Sequence, residues 1–190
     1  MNGKVIILSA PSGAGKTTIL KYLLHQDLDL EFSVSACNRK KRNGEEHGKD
    51  YYFLSTNEFI NKINQGEFVE WEEVYKGRYY GTLKSELDRI WSKGKHVVFE
   101  VDVKGGLHLK KIFKDKALSI FIKPPSIDEL KKRLLERSSE SLDEISTRIE
   151  KAREEMNVAE RFDIIIVNNQ LEEAKNQAYQ AIYNYINQKK

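Results

Sequence analysis

Four consecutive apolar residues, Val5-Ile6-Ile7-Leu8, run directly into Ser9-Ala10-Pro11-Ser12-Gly13-Ala14-Gly15-Lys16-Thr17-Thr18. An uninterrupted apolar run of this length fits a strand buried on both faces, the pattern of a parallel sheet covered by helices. Gly13 and Gly15 free the backbone for a tight turn. After Lys16, the residues Ile19, Leu20, Leu23 and Leu24 fall on one face of a helix. Strand, glycine turn and helix in that order restrict the chain to an α/β architecture.

The same turn has a chemical reading. Its glycines let the backbone approach an anion and turn N–H groups inward, and the helix adds its positive N-terminal end. Ala10, Pro11, Ser12, Gly13, Ala14, Gly15, Lys16, Thr17 and Thr18 therefore form a candidate P-loop for ATP. Lys16 can reach the outer phosphates, and the Thr17 hydroxyl stands where a Mg2+ ion bridging them would be coordinated. The strict pattern GxxxxGK[ST] has glycine where this chain has Ala10. The bland alternative is an ordinary glycine turn, and the buried strand and amphipathic helix on either side argue against it.

The chain has 190 residues, 39% hydrophobic and 32% charged. That is enough for one α/β domain with inserted subregions. A formal net charge of +3 is too small to argue for nucleic-acid or membrane binding. Cys37 is the single cysteine, which excludes an internal disulfide and a multi-cysteine metal site and suits a reducing compartment. No apolar run approaches the length of a membrane span, and no secretory leader pattern is present, so a cytoplasmic protein is expected.

Further apolar runs at 97–101, 118–122 and 164–167 extend the parallel sheet begun at Val5. Shorter extended pieces are expected at 32–36 and 51–54. Helical patterns are expected at 56–65, 84–93, 107–113, 126–137, 142–159 and in a final segment with Ala174, Ala178, Ile182 and Tyr185 on one face. Ser126 is expected to cap its helix, with Glu129 as the reciprocal partner of a capping box.

Residues 32–54 read FSVSACNRKKRNGEEHGKDYYF. Arg39 and Arg42, three apart and close to glycines and tyrosines, can fork around a phosphate, while simple solvation would equally account for the lysines. Farther on come Glu67-Phe68-Val69-Glu70-Trp71, Tyr79-Tyr80-Gly81-Thr82 and Phe99-Glu100-Val101-Asp102. A carboxylate is an acceptor-only group suited to the adjacent N1–H and NH2 donors of guanine. Glu70 fits that task, and an exposed strand or turn charge is its bland alternative.

Taken together, these segments resemble the guanylate kinase family over almost the whole chain. The resemblance rests on the order SAPSGAGKTT, FSVS...R..R.GE..GKDY.F, EF.EW, YYGT, E.D..G, L..RL..R, R...A..E and D..IVN. It implies a P-loop kinase with a mainly parallel core sheet covered by helices on both faces, an inserted mixed α/β GMP-binding region and a helical lid. The core would take 1–33, 84–125 and 160–190, the insert 34–83 and the lid 126–159. The implied activity is transfer of the γ-phosphoryl group of ATP to GMP, with dGMP as a further acceptor, giving ADP and GDP in purine nucleotide metabolism. GMP and ATP are its implied partners, with Mg2+ as cofactor.

By the same resemblance, Arg39, Arg42, Tyr51 and Tyr80 hold the GMP phosphate, Glu45 orients that cluster, and Ser35, Glu70, Thr82 and Asp102 receive the base. Lys16, Arg39, Arg42, Arg137 and Arg148 carry catalysis, the last two from the lid. Asn168 falls on the adenine side of the ATP site, with a plain turn residue as its alternative. This chain departs from the family at Ser138, at Cys37-Asn38, at Lys41 and at Lys104. Two competing readings are a kinase of another phosphorylated acceptor, such as a ribosyl bisphosphate, and a non-enzymatic module that keeps the fold. The base-pocket residues argue against the first, and the intact P-loop argues against the second.

Overall fold

A computed structural model of the protein describes residues 3–137 and 142–188, without the side chains of residues 74, 75, 137 and 142–144. Two compact units divide the chain. The smaller comprises residues 31–97 with the N-terminal residues up to Gly3, and the larger comprises 4–30 and 98–190. The division runs through strands β2 (Leu30–Phe32) and β7 (His96–Val101).

The central sheet has the order β2-β7-β1-β8-β9, with β1 at Val5–Ser9, β8 at Ala117–Lys123 and β9 at Ile164–Val167. β1 runs parallel to β8, and β8 runs parallel to β9. Ile6, Ile7, Leu8, Ile120, Phe121 and Ile122 are fully buried. That explains the continuous apolar runs, because helices cover the sheet: α4 (Val103–Phe113) packs on β1 and β8, and α7 (Leu171–Asn187) packs on β8 and β9. α1 (Lys16–Leu24) packs on β1 and α7 and buries Ile19, Leu20 and Leu23.

In the larger unit, α5 (Ile127–Arg137) and α6 (Leu142–Asn157) join through Leu130, Leu134, Ile145 and Ala152. Ser126 Oγ accepts the Glu129 N–H at 3.0 Å, as expected of an N-cap. The reciprocal half of the capping box does not form, because the Glu129 carboxylate turns instead to Arg133, one turn on, at 3.0 Å. α4 begins at Val103, four residues before its apolar pattern starts, because Asp102 Oδ1 accepts the Gly105 N–H at 2.8 Å and caps it.

The smaller unit is built on a mixed sheet in the order β4-β3-β6-β5. The extended piece expected at 32–36 is split between β2 and β3 (Ala36–Cys37), and β4 is Tyr52–Phe53. β5 (Phe68–Tyr75) and β6 (Arg78–Leu83) form an antiparallel hairpin around Gly77, whose φ of 73° is left-handed. α2 (Thr56–Asn64) opens with a complete capping box between Ser55 and Glu58. Its Phe59 packs with Ala36, Phe68 and Leu83 in the unit's small core. α3 (Lys84–Ser92) also belongs to this unit. No helix among the described residues is long and apolar enough to cross a membrane.

Candidate functional site

In the larger unit, the loop between β1 and α1 lines a cavity of about 380 Å³. Gly13 and Gly15 adopt φ of +90° and +98°, a left-handed backbone that side chains disfavour. Gly15 is the N-cap of α1 and no side chain caps that end, so the first N–H groups of the helix face the cavity without a side-chain acceptor. That is the arrangement of a phosphate cradle. Lys16 Nζ donates to the Val101 carbonyl at 2.8 Å and lies 3.9 Å from Glu100 Oε1. Burial holds the Lys16 pKa below the ordinary lysine value, against the opposing pull of Glu100, Asp102 and Glu155.

Thr17 Oγ1 donates to Glu100 Oε1. A hydroxyl and a carboxylate side by side form an all-oxygen donor pair, which suits a hard divalent cation shared with phosphate oxygens. No group of three or more His, Cys, Asp or Glu among the described residues could hold a metal ion by itself. Glu100 had no assigned role in the sequence beyond its place in the E.D..G segment. Its position at the carboxyl end of β7 was the available signal.

Arg148, Lys151 and Glu155 of α6 line the same cavity. Positions i, i+3 and i+7 share one helical face, and this spacing was the available signal for Lys151 and Glu155, neither of which the sequence singles out as a site residue. Burial raises the Glu155 pKa, Asp102 adds to the rise, and Lys151 and Lys16 oppose it. Arg137 ends α5, but its side chain and Ser138 lie outside the described residues. Asn168 is buried at 4% exposure, and its Nδ2 donates to the Ala14 carbonyl at 2.8 Å.

In the smaller unit, Arg39, Glu45, Tyr51 and Tyr80 come together. Arg39 forks onto Glu45 through Nη1 at 2.6 Å and Nη2 at 2.5 Å. Glu45 also accepts the Arg42 N–H at 2.8 Å. These hydrogen bonds, that of Arg39 foremost, hold the Glu45 pKa down at about 2, and the same contact pushes the Arg39 pKa up. The Arg39 guanidinium lies over the Tyr51 ring at 4.8 Å, and Tyr51 meets Tyr80 edge to face at 6.1 Å. Burial raises the Tyr51 pKa, with Arg39 opposing, so the phenol is a hydrogen-bond donor at neutral pH. Arg39, Lys40, Arg42 and Arg78 line a cavity of about 390 Å³ with no acidic residue in its wall.

Glu70 and Thr82 stand opposite each other in the β5–β6 register, and Thr82 Oγ1 donates to Glu70 Oε1 at 2.8 Å. Thr82 is 1% exposed. A buried hydroxyl therefore fixes one oxygen of the carboxylate proposed from the sequence to meet a base. Ser35 contributes its carbonyl, which accepts the Tyr52 N–H at 2.9 Å. Asp102 belongs to the larger unit, where it caps α4. Asn38, one of the departures from the family, uses its amide as a brace: Nδ2 donates to Thr56 Oγ1 and to the Gly77 carbonyl, and Oδ1 accepts the Tyr79 N–H.

The guanylate kinase family profile matches residues 2–185 of this chain. The chain is 50% identical over 187 residues to the guanylate kinase of Bacteroides thetaiotaomicron, covering 98% of this chain and 92% of that one. It is 48% identical to the guanylate kinase of Porphyromonas gingivalis, covering 96% and 98%. Among solved structures, the guanylate kinase of Anaplasma phagocytophilum matches with a TM-score of 0.74 at 30% identity, covering 98% of this chain and 87% of that one.

Proposed function

The chain belongs to the guanylate kinase family and is an ATP:GMP phosphotransferase, and from that premise we propose how its residues divide the work. The P-loop from Ala10 to Thr18 carries the phosphates of ATP. Arg39, Arg42, Tyr51 and Tyr80 carry the phosphate of GMP. Glu70, with Thr82 fixing it and Ser35 preceding Ala36, which pairs with Gly81 next to Thr82, takes the N1–H and NH2 of guanine.

The observation that carries this reading is the Arg39–Glu45 fork. A bidentate pair holds the guanidinium in one orientation over Tyr51, and a fixed planar cation recognises phosphate without ordering cost at the moment of binding. Arg42 presents an exposed guanidinium beside it. A carboxylate opposite the N1 acceptor of adenine would meet a lone pair instead of a proton, so Glu70 favours guanine by leaving the competitor mispaired.

Phosphoryl transfer needs an oxygen of the GMP phosphate in line with the γ-phosphorus. That oxygen is already ionised at neutral pH, so no side chain has to remove a proton. What remains is positioning and charge neutralisation. Lys16 and the inward N–H groups of the loop neutralise the donor phosphates, and Arg148 of α6 and Arg137 at the end of α5 supply further positive charge. Thr17 and Glu100 would hold Mg2+, which when bound neutralises the outer phosphates of ATP. The lid helices exclude water from the transferring group. The compartment we assign is the cytoplasm, with a role in purine nucleotide metabolism. Burial pushes the pKa of the single thiol, Cys37, up, which keeps it unreactive.

The test is ADP release with ATP and Mg2+ against GMP, dGMP, AMP, UMP and ribosyl phosphates, in the natural protein, Arg42→Ala and Glu70→Ala. Arg42→Ala should raise KM for GMP at least about tenfold, the loss of one charge-assisted bond, with KM for ATP unchanged. Glu70→Ala should narrow the preference for GMP over AMP. Unchanged GMP kinetics in the first variant, or undiminished preference in the second, removes that residue from the site.

A further inference from the structure

Asn168 follows β9 where a turn residue is expected, yet it is almost fully buried and uses three of its polar groups. Its N–H donates to the Lys123 carbonyl at 2.8 Å. Its carbonyl accepts Arg133 Nη2 at 3.1 Å. Its side-chain Nδ2 donates to the Ala14 carbonyl at 2.8 Å. The amide occupies the space that Gly15 leaves empty, since a Cβ on Gly15 would lie 2.3 Å from Nδ2.

A trans peptide is planar, so its C=O and N–H point in opposite directions. The carbonyl of Ala14 and the N–H of Gly15 belong to one peptide. Drawing that carbonyl onto Asn168 turns the Gly15 N–H the other way, and the Gly15 N–H meets no protein acceptor among the described residues. Gly15 is partly exposed in the wall of the cavity, so that N–H is open to an anion entering there. We propose that Asn168 is a positioning residue for the phosphate donor: it fixes the Ala14–Gly15 peptide so that the Gly15 N–H is aimed at a phosphate oxygen of ATP. The proposal rests on the reading that the P-loop takes the triphosphate.

The fixture reaches beyond the loop. Arg133 of α5 holds the Asn168 carbonyl while its Nε is held by Glu129 at 3.0 Å, so the lid's first helix, the turn after β9 and the P-loop form one hydrogen-bonded chain. The contribution of Asn168 to ATP binding then passes through the phosphates and not through the base. Preorganised N–H donors are worth most when no rearrangement is needed as charge develops, so the loss should fall on the donor substrate alone.

The test uses the full chain with Asn168→Ala and Asn168→Asp. KM for ATP, the inhibition constant of inorganic tripolyphosphate against ATP at saturating GMP, and KM for GMP are measured together. Within each variant ATP and tripolyphosphate should weaken by one common factor, at least about tenfold, with KM for GMP unchanged. Asp should be the worse, because its carboxylate cannot donate to the Ala14 carbonyl. The Asp variant keeps the volume of the native side chain and so carries the test where the Ala variant folds poorly. A loss confined to ATP, with tripolyphosphate unaffected, would assign Asn168 to the base and overturn the proposal, as would no loss in either. Failure of tripolyphosphate to compete with ATP in the natural protein would instead overturn the underlying reading of the loop.

Discussion

Replacing Glu86 by alanine is expected to lower the thermal midpoint by roughly 8–16 °C, although no part of the phosphate-binding loops is touched. Glu86 is 1% exposed. Its two oxygens accept four hydrogen bonds, from the Val34 N–H at 2.9 Å, Tyr52 OH at 2.7 Å, and Arg89 Nε and Nη2 at 2.9 and 2.8 Å. Burial alone would raise its pKa, but the bonds from Arg89, Val34 and Tyr52 outweigh it and the carboxyl lies below its ordinary value. Breaking a buried ion pair by removing one partner costs about 3–5 kcal/mol. Arg89 keeps a second partner in Glu31 and is partly exposed, which places that contribution at the low end. The orphaned Val34 N–H adds about 1 kcal/mol.

The sum of about 4 kcal/mol converts at roughly 2–4 °C per kcal/mol for a chain of this length. Glu86→Gln keeps an acceptor for Val34 and should lose less than half as much. Calorimetry at pH 7, with reversibility checked, reads both midpoints. An alanine variant within about 2 °C of the natural protein would refute the reasoning that this carboxylate is the acceptor the smaller unit is built around. Because Tyr52 precedes β4's Phe53 and follows Tyr51, the same variant should also raise KM for GMP more than KM for ATP.

Two further outcomes are expected. Gly15→Ala should raise KM for ATP at least about tenfold, because φ of +98° costs a side chain about 1–2 kcal/mol and the new Cβ displaces the Asn168 amide. Unaltered ATP kinetics would mean that the loop tolerates another backbone shape. Against pH, Glu31 is the group to follow: burial opposes ionisation, but hydrogen bonds from Lys93, Arg89 and Lys95 outweigh it and hold its pKa down at about 2, against an ordinary 4.5. The folded carboxyl thus binds its proton later than the unfolded one, so its stabilisation is complete above about pH 4.5 and is lost as pH falls toward 2. Glu31→Gln should flatten the dependence of the midpoint on pH in that window, and an unchanged slope would remove Glu31 as its source.

Much of the donor half was legible in the chain itself. Val5 to Leu8 and the glycines that follow leave few conformations open, so β1, the P-loop and α1 form where local pattern puts them. The apolar runs of β7, β8 and β9 were equally direct, because strands buried on both faces need apolar residues at every position. Short strands carried less signal. β3 and β4 have two residues each, and neither the β5–β6 hairpin nor its pairing of Glu70 with Thr82 was visible as alternation, since register shifts interrupt it.

The sequence by itself determined an α/β fold, a loop that cradles phosphate, and a family resemblance strong enough to name GMP as acceptor. Tertiary structure alone decided which groups are spent inside the protein. Glu45 turns to Arg39 and fixes its orientation; Glu129 leaves its capping box for Arg133; Asp102 caps α4; Asn168 holds the Ala14 carbonyl. Each depends on residues 3 to 154 positions apart meeting at hydrogen-bond distance. Local propensity sets which segments become strand or helix, but only packing sets which polar atoms lose water together, and those atoms must then satisfy one another or a ligand.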